Sequence, residues 1–267
     1  MTVSFTFRNL VLGLGLALAL PACHKPVSTD PDVVVTLDPE FSVDLFEQRD
    51  AATGAATFGL WIESTQLFAC DNYTIEGQAE VLAGTVSARL LAIRTPDTCV
   101  GAPGRAQGFV PIGPLADGEY PFKFSLNDAI VNVGTLRVQQ GHYELAVPEP
   151  KAVDFRNRVL ESIPDNLIWG FVSVPEETDV PVANQFFSHL KTISTEHQLQ
   201  PGYYSYFTVT GTGQMFLHQS MGPTPANLAF LRQLTGSKDE LRALLQSYRT
   251  SPDHPLQLQC LTSWGAF

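Results

Sequence analysis

Apolar and polar residues alternate with a period of two through much of residues 33–150. Tyr120, Phe122, Phe124 and Leu126 fall on one face of an extended segment, and Pro121, Lys123, Ser125 and Asn127 fall on the other. Asn127-Asp128 supplies turn chemistry. Leu136 and Val138 then alternate with Thr135 and Arg137, Gln140-Gly141 turns the chain, and Tyr143, Leu145 and Val147 resume the alternation. This pattern predicts a meander of antiparallel strands. Val33 to Leu37, Phe41 to Phe46, Thr57 to Ile62, Tyr73 to Leu82 and Thr85 to Arg94 have strand composition as well. About eight short strands with no helical segment among them predict a two-sheet antiparallel sandwich.

Beyond residue 150 the pattern changes. Ala152 to Ile163 reads as a linking helix, ended by Pro164-Asp165-Asn166. Leu167 to Val174 is apolar on both faces, as a covered central strand would be. Val182, Phe186, Leu190 and Ile193 share one face of a predicted helix with Pro181 in its first turn. Tyr203 to Thr210 and Gln214 to Ser220 flank Gly211-Thr212-Gly213, which predicts a hairpin. Pro225 to Leu234 and Ser237 to Arg249 read as helical, interrupted at Gly236. The second of these opens with the capping box Ser237/Glu240 and turns Leu241, Leu244, Leu245 and Tyr248 to one side. A strand around Cys260 follows. The order β-α-β-β-α-β resembles a ferredoxin-like α+β sandwich, and the first half resembles an Ig-like sandwich in size. The expected fold class is therefore β plus α/β in two domains, an Ig-like β-sandwich over 33–150 and a ferredoxin-like βαββαβ domain over 151–267. Topology of this kind carries no function with it.

The N-terminus carries an address. Arg8 precedes Leu10 to Leu20, an apolar run that ends at Pro21-Ala22-Cys23. As a helix this run rises about 16 Å, half of the ~30 Å hydrocarbon core, so it reads as an export signal over residues 1–22. Leu20-Pro21-Ala22-Cys23 resembles the lipobox of bacterial lipoproteins, with Pro21 standing where a small residue is usual. The resemblance implies cleavage before Cys23 and lipid, including palmitate, on that cysteine, where multiple acyl chains hold more firmly than one. His24 in place of an aspartate implies an outer-membrane address. The other reading is an ordinary secretory signal with an incidental cysteine. Residues 23–32 are polar and proline-bearing and read as a tether.

With Cys23 assigned to lipid, Cys70, Cys99 and Cys260 remain. Cys70 and Cys99 lie in the same half of the chain. A disulfide between them is predicted, closing a loop of about 30 residues and contributing about 3.6 kcal/mol in the chain-entropy model. Cys260 sits on the Leu256/Leu258 face of an alternating run and reads as a buried, unreactive thiol.

Charge narrows the partners. Lys and Arg number 16 against 27 Asp and Glu, a net of −11, with no basic run, so nucleic acid is not an expected partner. No phosphate-binding, dinucleotide, hydrolase-elbow or zincin motif occurs, and no cofactor is expected. His189 and His197 lack the spacing that puts two imidazoles on adjacent helical turns, and His254 stands apart, so no metal is expected. Asp38, Glu40 and Asp44, or Asp117 and Glu119, read as charged strand edges or, alternatively, as calcium ligands. Asn72-Tyr73-Thr74 is a glycosylation sequon.

Pro96 to Gly118 holds five glycines and four prolines. It reads either as a binding loop with Arg105 near its tip and Phe109 beside it, or as a plain connection with a short edge strand. The functional expectation is a lipid-anchored envelope protein that binds an envelope protein or surface ligand without catalysis. The alternative is an envelope hydrolase using His218 and Ser220, which share a strand face.

Overall fold

The computed structural model describes residues 38–50, 53–174, 176–218, 226–251 and 256–266. The strand expected at Val33 to Leu37 lies outside these residues, as does the signal segment. Period-two patterning produces ten strands: β1 (Phe41–Arg49), β2 (Ala56–Phe68), β3 (Thr74–Leu82), β4 (Thr85–Arg94), β5 (Gly104–Pro111), β6 (Gly118–Leu126), β7 (Ile130–Gln139), β8 (His142–Ala146), β9 (Val153–Phe155) and β10 (Val159–Glu161). They form one sheet in the order β10-β8-β7-β6-β4-β3-β5-β2-β1-β9. Neighbours are antiparallel except β1/β9, β3/β5 and β4/β6.

This sheet curls, and one short stretch of chain lines both of its edges. β9 pairs with β1, and the Leu45 amide donates to Asn157 O. A residue later the Leu145 amide donates to Arg158 O, and β10 pairs with β8. Inward-facing residues from every side of the curl meet in one core, among them Val43, Leu60, Phe122, Phe124, Leu136 and Phe155. The architecture is therefore not the Ig-like sandwich expected from strand count, because hydrogen bonding links all ten strands and the core lies inside a single curled layer. Residues 152–163 are not a linking helix. Val153 and Phe155 are buried as one strand and Leu160 as the next, so the sheet continues past residue 150.

The second half is not the two-layer ferredoxin-like sandwich either. Its antiparallel sheet has five strands, β12 (Ser194–Glu196), β16 (Ala226–Leu234), β11 (Leu167–Val174), β17 (Gln257–Thr262) and β18 (Gly265–Ala266), in that spatial order. Helices α1 (Val180–Thr192) and α2 (Lys238–Arg249) cover one face through Phe186, Leu190, Leu241 and Leu245. A three-stranded sheet, β13 (Gly202–Tyr203), β14 (Phe207–Val209) and β15 (Met215–Leu217), packs Tyr204, Phe207 and Val209 against Trp169 on the other. This third layer and the strand at 226–234, where a helix was expected, overturn the reading. All eight residues of β11 are buried, as its two-sided hydrophobicity predicts. The Ser237/Glu240 capping box forms at the start of α2. Neither helix is long and apolar enough to cross a membrane.

Arg49 fastens the first sheet to the others. Its Nη2 donates to Ile163 O at 2.7 Å and its Nη1 to Ser263 O at 2.9 Å, while Nε donates to Glu47 Oε1 at 2.8 Å. The Glu47 amide donates to Ser205 Oγ, and the Arg49 amide to the Tyr206 hydroxyl. Guanidinium and carboxylate are 10% and 6% exposed, so the pair holds its charges inside the protein.

Candidate functional site

Arg105 and Phe109 share one face of a strand and do not lie on a loop. Their segment is β5, between β2 and β3, and Arg105, Gln107 and Phe109 alternate with the buried Ala106 and Val110 to face away from the core. The β2 register sets Phe109 opposite Trp61 and Gln107 opposite Glu63. The β1 register sets Trp61 opposite Asp44 and Glu63 opposite Ser42. One row on the side away from that core thus reads Ser42, Glu63, Gln107, and the next reads Asp44, Trp61, Phe109, with Ser42 and Asp44 themselves buried. Beyond Glu63 the register shifts before Leu67 meets Arg105. The buried Ser64 hydroxyl accepts from the Ala106 amide and donates to Gln66 O across that irregularity.

The aromatic part is a cluster. The Phe46 ring lies 5.5 Å from Trp61, 6.1 Å from Phe109 and 5.3 Å from Tyr206 by centroid. Gly59, opposite Phe46 in the register, makes room for Phe109 and the β5 backbone: a Cβ there would stand 2.4 Å from Val110 O and 2.7 Å from the Phe109 ring. Phe46, Trp61 and Phe109 are all half-buried.

The polar part is a chain of ion pairs. Glu63 Oε2 accepts from Arg105 at 3.2 Å and from Arg156 at 3.3 Å, while Oε1 accepts from Gln107 Nε2. Arg156 reaches Asp44 through both Nε and Nη2, and Asp44 Oδ1 also accepts from the Asn157 amide and side chain. Burial works against the Arg156 charge, but the hydrogen bonds and charges of Asp44 and Glu63 outweigh it and raise its pKa. The Tyr203 phenol is pushed up by burial and by the nearby Asp44. The Tyr203 ring stacks on His218 at 5.3 Å. Two guanidiniums balance two carboxylates here, each carboxylate accepting at least three hydrogen bonds. Such a site holds its side chains in place for a ligand.

The other predicted residues fall elsewhere. Cys70 and Cys99 form the predicted disulfide, Cα atoms 5.6 Å apart. Asn72 is engaged beside it, donating to Thr98 O and accepting from the Val100 amide. Cys260 is buried, and desolvation pushes its thiol up to about 12. His218 Nδ1 donates to Ser205 O, a carbonyl that can only accept, and Nε2 bonds the Thr208 hydroxyl. Both ring nitrogens are thus engaged. Ser220, His254 and Cys23 lie outside the described residues. His189 bonds the Tyr248 hydroxyl. The Asp117 carboxylate accepts from the Gln140 amide, and Glu119 pairs with Arg137. Among the described residues, no three of His, Cys, Asp or Glu gather as a metal site.

Two clefts lie apart from this face. One of about 420 Å³ crosses β3, β4 and β6, bordered by Glu80, Arg89, Lys123 and Asp128, with Arg89 and Asp128 paired. Another of about 720 Å³ runs between β16 and the turn after β14, bordered by His197, Gln214, Met215 and Leu231 and by no carboxylate. Sequence reasoning reached Arg105 and Phe109 through glycine and proline content and Asp44 as a charged strand edge or calcium ligand, but had no signal for Glu63 and Arg156 or for their pairing with Asp44, which only long-range register brings about. Comparison of the chain with protein-family models, curated proteins and solved structures returns no match.

Proposed function

We propose that this chain is a lipid-anchored cell-envelope protein that recognises its partner, without catalysis, through the outward face of β1, β2 and β5. Lipid on Cys23 is the anchor and residues 23–32 the tether, with the outer membrane as the location. The observation that carries the recognition reading is a half-buried aromatic cluster, Phe46, Trp61 and Phe109, on paired internal strands, beside the ion pairs of Glu63 with Arg105 of β5 and with Arg156 between β9 and β10. Aromatic and arginine side chains held rigidly are the usual anchors of recognition surfaces. His218 bonds Ser205 O and the Thr208 hydroxyl, and Ser220, its partner in the hydrolase reading, lies outside the described residues.

Two arms test the proposal. Cys23→Ser expressed as the whole chain moves from membrane to soluble fractions, and continued membrane fractionation contradicts the anchor. The soluble Cys23→Ser protein, mixed with isolated envelopes, sediments with them. Adding Trp61→Ala and Arg105→Ala lowers that retention about tenfold, a loss of about 1.4 kcal/mol. Retention unchanged by those two substitutions contradicts recognition at this face.

A further inference from the structure

The chemistry of the same face narrows what it takes, and we infer that its ligand is a neutral, hydroxyl-rich oligosaccharide. This inference rests on the recognition reading above.

The first argument is charge. Asp44 and Glu63 are matched within the site by Arg105 and Arg156. An ionic ligand would have to displace a partner and leave the displaced charge without compensation, which is costly where Asp44 is 6% exposed. A neutral ligand leaves the pairs intact.

The second argument is what those pairs still offer. Arg105 donates one N–H to Glu63 and its side chain is 47% exposed, so the other donors of a planar guanidinium face solvent. Gln107 donates through Nε2 to Glu63 and keeps its amide oxygen as an acceptor. Fixed donors and acceptors of this kind suit vicinal hydroxyls, which act as both donor and acceptor. The adjoining row supplies the apolar half. Residues i and i+2 of a strand lie about 6.8 Å apart, so the Gln107 amide is the polar neighbour of Phe109 and the Arg105 guanidinium lies one such step further along β5, a row that an oligosaccharide of more than one unit can follow. A pyranose presents the complementary surface, with C–H groups on one side and hydroxyls around its rim.

The third argument disfavours a peptide. A strand-adding peptide needs an open sheet edge, whereas β1, β2 and β5 each have a neighbour on both sides.

The test titrates the Cys23→Ser chain with maltohexaose, cellohexaose and chitohexaose, and with polygalacturonate and polylysine as charged probes. Calorimetry and tryptophan fluorescence are the readouts. The expected result is binding of at least one neutral hexasaccharide, insensitive to salt because the site's charges are already compensated. Trp61→Ala and Arg105→Ala should each weaken it about tenfold, while Trp61→Phe, which keeps an aromatic ring and guards against misfolding, retains most of it. Binding confined to a charged polymer overturns the inference. So does the absence of binding by all three neutral probes. If envelope retention still depends on Trp61 and Arg105 in that case, the recognition reading survives and only the saccharide assignment falls. If retention is also indifferent to them, both fall.

Discussion

Replacing Arg49 with methionine tests how the sheets are held together. The guanidinium is 10% exposed, pairs with a carboxylate 6% exposed, and donates to Ile163 O and Ser263 O, which belong to the second half of the chain. Arg49→Met leaves Glu47 buried without its cation and removes two bonds between sheets. Breaking a buried pair in this way costs about 3–5 kcal/mol. For a domain of this size 1 kcal/mol moves the melting temperature by about 2–4 °C, so a drop of about 10 °C is expected in a calorimetric scan. The double variant Glu47→Leu/Arg49→Met removes the orphaned charge and should recover part of the loss, giving a favourable coupling between the two sites. If the single variant melts within about 2 °C of the parent, the pair is not a fastening and the reasoning fails.

Other perturbations follow from the same structure. Reducing Cys70–Cys99, or replacing both residues with serine, frees the connection ahead of β5 and should lower unfolding stability by about 2–4 kcal/mol in a urea titration; a change under about 0.5 kcal/mol would show that the bridge constrains little. Burial raises the Cys260 thiol to about 12 and the Tyr204 phenol to about 12, so the folded state holds their protons more tightly than the unfolded chain does. Their contribution is fully present below the ordinary thiol and phenol values and is lost as pH rises toward about 12. Cys260→Ala should flatten the decline of stability measured by circular dichroism above pH ~9, and an unchanged slope would contradict the burial argument. The Cys260 thiol should also resist a thiol reagent until the protein unfolds.

The elements readable from sequence were those whose burial is set locally. β6, β7 and β8 show their alternation because one face meets the core and the other meets water. α2 announced itself through Ser237 and Glu240, whose hydrogen bonds lie within one turn. β16 did not, because Ala226 to Leu234 is composed of Ala, Asn, Leu, Phe, Arg and Gln, most of these positions good helix formers, and lies in a strand only because β11 and β12 flank it. β5 was hidden by its glycines. Gly108 lies so close to β3 that a Cβ would be 2.2 Å from Ile75 O, so a residue resembling a loop marks a tight seam between strands. The curl was illegible for a related reason: β9 and β10 have three residues each, too few to show a period, yet they line both edges of the sheet. Arg105 and Phe109 could be singled out for recognition, whereas the sequence marks Asp44 only as a charged strand edge or a calcium ligand. Its importance comes from Arg156, 112 positions away.

Recognition at the face of β1, β2 and β5 is tested most directly by placing a photo-crosslinking amino acid at Gln107 on that face, and separately at Lys123 on β6, in the whole lipid-anchored chain within intact cells. Irradiation should give a discrete adduct from position 107 and none from position 123. Equal labelling at the two positions, or an adduct from position 123 alone, would place recognition elsewhere on the molecule.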